Sequence, residues 1–241
     1  VEADEMSEDE VKYGQFCPVA KASEIITTRW TPLVLRELIS GSSHFNEIHR
    51  GVPLMSRGLL SRRLKELEQW GVISKTTGAD AQTTEYHLTE AGQQLTPIIV
   101  ALGHWGKKWV ESALESGDWD AGVLMWDMKK RIDTNALPTG RTVIHFDYED
   151  ASDEMRLWWL VADESGIDLC QQDPGFEVNL YVSTDVQTMA QVWIGKQALR
   201  SALDDDSIYV SGDKGLRDTI GSWLLLALVT EVRGQLTWTD T

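Results

Sequence analysis

Ser56, Arg57, Ser61, Arg62 and Lys65 are spaced so that a helix would gather them on one side. Hydroxyl, guanidinium and ammonium groups all donate hydrogen bonds, and two of these three types carry positive charge. Such a set suits the phosphates and base edges of double-stranded DNA. The same stretch, residues 55 to 71, carries Leu60, Leu64 and Leu67 at i, i+4 and i+7. That is one apolar face of a 3.6-residue period. Ser56 stands where an N-cap hydroxyl can accept a first-turn N–H. Arg63 lies nearer the leucines, toward an acid of its own domain. A basic amphipathic helix is also a common solvated surface, so the neighbouring sequence must decide.

The elements that position this helix read as follows. A first helix is expected over 19–27. A second begins near Thr31, with Pro32 in its first turn, Leu33, Leu35 and Leu38 as core positions, and Gly41 just past its end. A short third helix covers 45–50, and Gly51-Val52-Pro53 turns the chain into the basic helix. A short helix, a tight turn and a longer basic helix make a helix-turn-helix. After Gly71 the period changes. Two β-rich runs, 72–77 and 83–88, flank a polar tip and predict a hairpin. Beside a recognition helix such a hairpin is a wing, and Lys75 and Thr76 on it are candidates for the DNA backbone. Thr89 is placed to cap a helix that starts at Glu90-Ala91-Gly92, and a long helix is expected from about 94 to 115. Leu95, Ile98, Leu102, Trp105 and Trp109 form its seam, in alternating steps of three and four.

Charge supports this division. The net charge is −16, but residues 12–110 hold 12 bases and 8 acids, whereas 111–241 hold 10 and 24. Residues 1–11 add six acids and no base, as a mobile acidic tail would. Basic charge confined to one segment implies two domains with different partners, the acidic one repelling DNA.

The runs Cys17-Pro18-Val19, Arg29-Trp30-Thr31-Pro32-Leu33, His44-Phe45-Asn46-Glu47-Ile48, Met55-Ser56, Leu60-Ser61-Arg62-Arg63-Leu64-Lys65-Glu66-Leu67-Glu68, Trp70-Gly71-Val72-Ile73, Glu85-Tyr86-His87-Leu88-Thr89-Glu90-Ala91-Gly92 and Trp105-Gly106 together resemble the HxlR-type winged-helix regulators of bacteria. The resemblance covers 17–110. It implies a dimeric cytoplasmic transcription factor with its third or fourth helix in the major groove. The chain departs from the family pattern at Ser43-His44, where a basic residue, most often Arg, usually precedes the Phe. The resemblance therefore does not carry over a phosphate anchor at that position. A C₂ homodimer through the 94–115 helix would present two recognition helices to a palindromic operator.

Ser116-Gly117-Asp118 marks a boundary between domains 1–115 and 116–241. Beyond it a linking helix is expected over 123–132, then strands over 141–146, 156–162 (apolar on both faces, hence central), 167–171 and 176–182. A helix opens at Thr184-Asp185 and closes at Gly195. A short helix at 197–203, a fifth strand at 208–210 and a final helix from Leu216 complete an α+β sandwich. Residues 140–230 are similar to sterol carrier protein domains, which implies a cavity for an apolar effector between sheet and helices. Trp126, Trp158, Trp159, Trp193 and Trp223 are candidates to line it, or simply to fill a core.

Cys17 and Cys170 are the only cysteines, which argues against a disulfide framework and suits a reducing compartment. Two readings stand for Cys17. Some HxlR-type regulators sense oxidants through a Cys that this one resembles; otherwise it is a small residue packing the first helix. No GxSxG, HExxH or P-loop pattern is present and the histidines are scattered, so neither an enzyme nor a metal or cofactor site is expected. The N-terminal residues lack the pattern of a signal peptide, and the longest apolar run is too short to span a bilayer, so no membrane association is expected. The sequence therefore reads as a cytoplasmic DNA-binding regulator controlled by an apolar ligand. Its rivals are a hydrophobe carrier whose winged domain only dimerises, and a redox regulator acting through Cys17.

Overall fold

The computed structural model describes residues 12–78, 83–110 and 118–227 of the 241-residue chain. The acidic stretch 1–11, the hairpin tip at 79–82, the end of the seam helix beyond 110, most of the 116–118 boundary and the chain after 227 lie outside the described residues. The chain divides into two compact units, 1–99 and 100–241, each with its own core.

The first unit runs α1 (Pro18–Ile26), α2 (Thr31–Ile39), α3 (Phe45–Gly51), α4 (Arg57–Gln69), β1 (Ile73–Thr77), β2 (Thr84–Leu88), α5 (Glu90–Gln93) and the start of α6 (Thr96–Trp109). β1 and β2 pair antiparallel, Ile73 opposite Leu88. The Tyr86 N–H donates to the Ser43 carbonyl at 2.8 Å, which ties this hairpin to the loop before α3. Helix limits follow local chemistry. The Ser56 hydroxyl accepts from the Leu59 N–H and the Thr89 hydroxyl from the Gly92 N–H. Gly71 ends α4 at φ 68°, a left-handed conformation that favours glycine. Val34, Leu35, Leu38, Ile48, Leu60, Leu64 and Leu67 form the core.

Two sequence expectations change here. Leu33 is 39% exposed and Val34 is buried in its stead, because the α2 stripe runs 34, 35, 38 rather than 33, 35, 38. The seam helix starts at 96 rather than about 94. Pro97 lies in its first turn; a proline there has no N–H to continue the preceding turn.

The second unit includes α7 (Ala121–Lys129), a 3₁₀ turn (Thr134–Ala136), β3 (Thr142–Tyr148), α8 (Asp153–Arg156), β4 (Leu157–Asp163), β5 (Gly166–Cys170), β6 (Leu180–Thr184), α9 (Val186–Trp193), α10 (Leu199–Asp204), β7 (Tyr209–Gly212), α11 (Lys214–Asp218) and α12 (Ile220–Trp223). The five-stranded sheet has order β5-β4-β3-β6-β7. β3 pairs parallel with β6, and the other pairs are antiparallel. Ile144, Phe146, Leu160, Leu180 and Val182 share one face and pack with the helices. Val143, Trp159 and Val161 lie on the other. The Tyr148 hydroxyl donates to the Met125 sulfur at 3.1 Å, and complete burial pushes its phenol far above the usual range.

β4 is an interior strand, paired with β5 on one side and β3 on the other, as its two apolar faces imply. The second unit also departs from its sequence pattern in three places. The 123–132 helix is no linker: as α7 it buries Leu124, Met125 and Met128 in the core. The fourth strand starts at Leu180 rather than 176, because Asn179 turns its N–H onto the Val143 carbonyl and its side-chain oxygen onto the Val143 N–H. The final helix is two short ones, α11 and α12.

Candidate nucleic-acid interface

Helix α4 separates its faces as its sequence requires. Leu60, Leu64 and Leu67 are each at most 1% exposed, worth roughly 1.5–3 kcal/mol apiece as buried apolar side chains. Ser56, Arg57, Ser61, Arg62 and Lys65 are all exposed. Lys75 and Thr76 on β1 are exposed as well. Arg63 is buried and pairs with Glu66 on the same helix, so its charge is directed inward.

Arg57 is held rather than loose. Its Nη2 donates to Asn46 Oδ1 at 2.7 Å, and its guanidinium lies 4.9 Å over the Phe45 ring. Both partners belong to α3, so the first turn of α4 carries a cation pre-oriented by the helix before it. Pre-orientation reduces the entropy lost when such a cation meets a phosphate.

His44 stands where a stronger base would lengthen the basic surface. Its backbone N–H donates to Glu47 Oε2 at 3.1 Å, and its ring lies 3.8 Å from Glu85. Burial pushes the Glu47 carboxyl up, but the Ser43 and His44 N–H groups and the His44 ring outweigh it and hold it below its ordinary value. The imidazole is thus occupied by carboxylates of its own unit.

Beneath this surface lies an arrangement that sequence reasoning missed. Glu37 on α2 is fully buried; Arg36 Nη2 reaches its carboxylate at 2.9 Å and the Gly51 carbonyl at 2.8 Å. Ser42 Oγ donates to the other carboxylate oxygen at 3.3 Å. A Cβ on Gly51 would sit 2.0 Å from the Glu37 carboxyl carbon. The glycine lets α3 approach the Glu37 side chain of α2 closely. The available signal was an acid inside the apolar stripe of α2.

Residues 25–114 match the family model for the HxlR-like helix-turn-helix. A transcriptional regulator of Bacillus subtilis (strain 168), named YvaP and described as an uncharacterized HTH-type regulator, is 36% identical over 100 residues. That alignment spans 41% of this chain and 93% of the relative. The chain belongs to the HxlR-like helix-turn-helix family. This HxlR-like protein therefore carries the helix-turn-helix of a transcriptional regulator, with α3 and α4 as its two helices. A second relative, an uncharacterized HTH-type transcriptional regulator of Methanothermobacter thermautotrophicus (strain Delta H), is also 36% identical, over 48% of this chain and 86% of its own. Among solved structures, the redox regulator HypR in its reduced form is 29% identical, covering 41% of this chain and all of that one, with a TM-score of 0.37. The matched region ends at residue 114, before α7.

The remaining candidates are scattered. Trp158, Trp193 and Trp223 belong to one core; Trp126 is buried outside it, with the Lys129 and Lys130 ammonium groups over its ring, and Trp159 lies on the opposite face of the sheet against His145, 4.7 Å between ring centroids. Cys17 is half-buried at the N-cap of α1, and Cys170 is half-buried on β5; both are free thiols. Among the described residues no cluster of His, Cys, Asp and Glu could hold a metal ion, and no helix is long and apolar enough to cross a membrane.

Proposed function

We propose that this chain is a homodimeric, sequence-specific DNA-binding transcriptional regulator that inserts α4 in the major groove and rests the β1–β2 wing on the adjacent backbone. The observation that carries the reading is the segregation on α4: Arg57, Ser61, Arg62 and Lys65 exposed, with Ser56 at the N-cap, opposite a buried leucine face. Lys75 and Thr76 are the wing's contacts. Dimerisation is supported by α6, where Leu102, Trp105 and Trp109 are 52%, 57% and 63% exposed on one side of the helix. Large exposed apolar side chains in a row mark an interaction surface. Two α4 helices related by a two-fold axis would read a palindrome with half-sites about one helical turn apart, or a multiple of it. Selection from a random duplex pool at physiological salt checks this. The intact protein enriches a palindrome, and Arg62→Ala binds the enriched duplex about tenfold more weakly, as removal of one charged hydrogen bond to a phosphate or base implies. An unenriched pool together with an unaffected variant would favour the hydrophobe-carrier reading.

Control by an apolar ligand between sheet and helices of the second unit is the finer proposal. The likeness to sterol carrier proteins supports it only through the order of strands and helices. It requires Trp158, Trp193 and Trp223 to part, since they fill the core on that side of the sheet. Redox control through Cys17 is the other; its support is the half-buried free thiol at the start of α1.

A further inference from the structure

The first unit contains a cleft of about 860 Å³ between the α1–α2 junction and the side of α4 that carries Leu59, Arg62, Glu66 and Trp70. Two of the polar groups in its lining are unsatisfied. Thr31 is fully buried and Arg63 is 7% exposed; both line the cleft, and both the Thr31 hydroxyl and the Arg63 Nε–H lack a hydrogen-bond partner. A buried donor left unpaired is costly, and natural structures nearly always satisfy it. The arginine's other side is occupied by Glu66, so it is Nε that remains to be filled.

The wall chooses the charge of the occupant. Four cationic side chains line the cleft against two carboxylates. Both carboxylates are already engaged: Glu24 accepts from the Tyr13 N–H at 2.9 Å and from Lys21 at 3.0 Å, and Glu66 is paired with Arg63. The indoles of Trp30 and Trp70 with the Leu59 and Leu67 side chains give the rest an apolar, partly aromatic lining. An acceptor-bearing anion attached to a flat ring satisfies each of these features.

We infer that this cleft is an effector site for a small aromatic carboxylate, the carboxylate meeting Arg63 Nε and the Thr31 hydroxyl and the ring lying among the tryptophans. The consequence for DNA rests on the regulator reading above; the binding itself does not. α4 bears the cleft on one side and the exposed donors on the other, and Arg62 belongs to both sets. A ligand drawn to Arg62 withdraws it from DNA, and reciprocity makes DNA weaken the ligand by the same factor.

The test uses the full chain titrated with naphthoate, followed by tryptophan fluorescence and calorimetry, with naphthamide as the uncharged analogue and inorganic phosphate as the anion without a ring. Naphthoate is expected to bind saturably below millimolar concentration, and naphthamide and phosphate at least about tenfold more weakly, as absence of a charged hydrogen bond or of the ring implies. Thr31→Val, which keeps shape, and Trp70→Ala, at a surface position, are each expected to weaken naphthoate by about the same factor. Arg63→Met serves as a third variant if it folds. No saturable binding up to millimolar naphthoate, equal binding of naphthamide, or unchanged affinity in both Thr31→Val and Trp70→Ala overturns the site. Affinity for the enriched duplex, measured with and without naphthoate, separates the two claims. Naphthoate binding by a chain that holds no DNA removes the regulator reading and keeps the site. DNA binding by a chain that ignores naphthoate does the reverse.

Discussion

Gly51→Ala is expected to destabilise the first unit by about 3 kcal/mol, the upper part of the range for overpacking a closed core. The added methyl would lie 2.0 Å from the Glu37 carboxyl carbon. A flexible carboxylate could ordinarily swing away. Glu37 cannot do so cheaply, because it is fully buried and is held by Arg36 and Ser42. Displacing it would strip a buried charge of its partners, which is among the more damaging changes a core can suffer. In a unit of this size the destabilisation lowers the midpoint of thermal unfolding by more than about 10 °C. The double variant Gly51→Ala/Glu37→Ala should recover much of it, since the methyl then takes space the carboxylate has left. A thermal double-mutant cycle reads this directly. Additive destabilisation would show that Gly51 and Glu37 do not compete for the same volume.

The second large effect concerns α6. Trp105→Glu places a charge in the middle of the exposed row Leu102, Trp105, Trp109. The residue is more than half exposed, so folding of the chain should be little affected. A second copy seated on this row would have to desolvate that charge, at a cost of several kcal/mol. Analytical ultracentrifugation should therefore find a dimer for the parent protein and a monomer for Trp105→Glu. Affinity for a two-half-site duplex should fall by about a hundredfold or more, because the second half-site is then no longer bound intramolecularly. A variant that remains dimeric, with unchanged affinity, would move the dimer interface away from α6.

The legible parts of the molecule were those with a local signature. The leucine period, the Ser56 cap and Gly71 define α4 within its own stretch of chain, and the alternation around the wing is similarly self-contained. Arg63 could be assigned inward because its position relative to the leucines fixes its direction on the helix. The pairing of Glu37 with Arg36 under Gly51 spans α2 and α3, and nothing in either helix alone announces it. α7 read as a linker because a helix covered on most sides shows no polar face to mark it as part of a core. The tryptophans of the second unit were grouped by type, but strand alternation puts Trp158 and Trp159 on opposite faces. The cleft beside α4 is the furthest from sequence, since Thr31 and Arg63 become neighbours of one space only after α1, α2 and α4 have packed.

The central claim, that the exposed cations of α4 contact DNA, is tested most directly by the salt dependence of binding. Each phosphate that is no longer neutralised makes the slope of log affinity against log salt shallower by about 0.9. For the palindrome enriched by the intact protein, the variant Arg57→Ala/Arg62→Ala/Lys65→Ala removes three cations from each α4. Its slope should be shallower by up to about five units in a dimer, with affinity at low salt reduced by at least about a thousandfold. An unchanged slope and unchanged affinity in that variant would contradict the account.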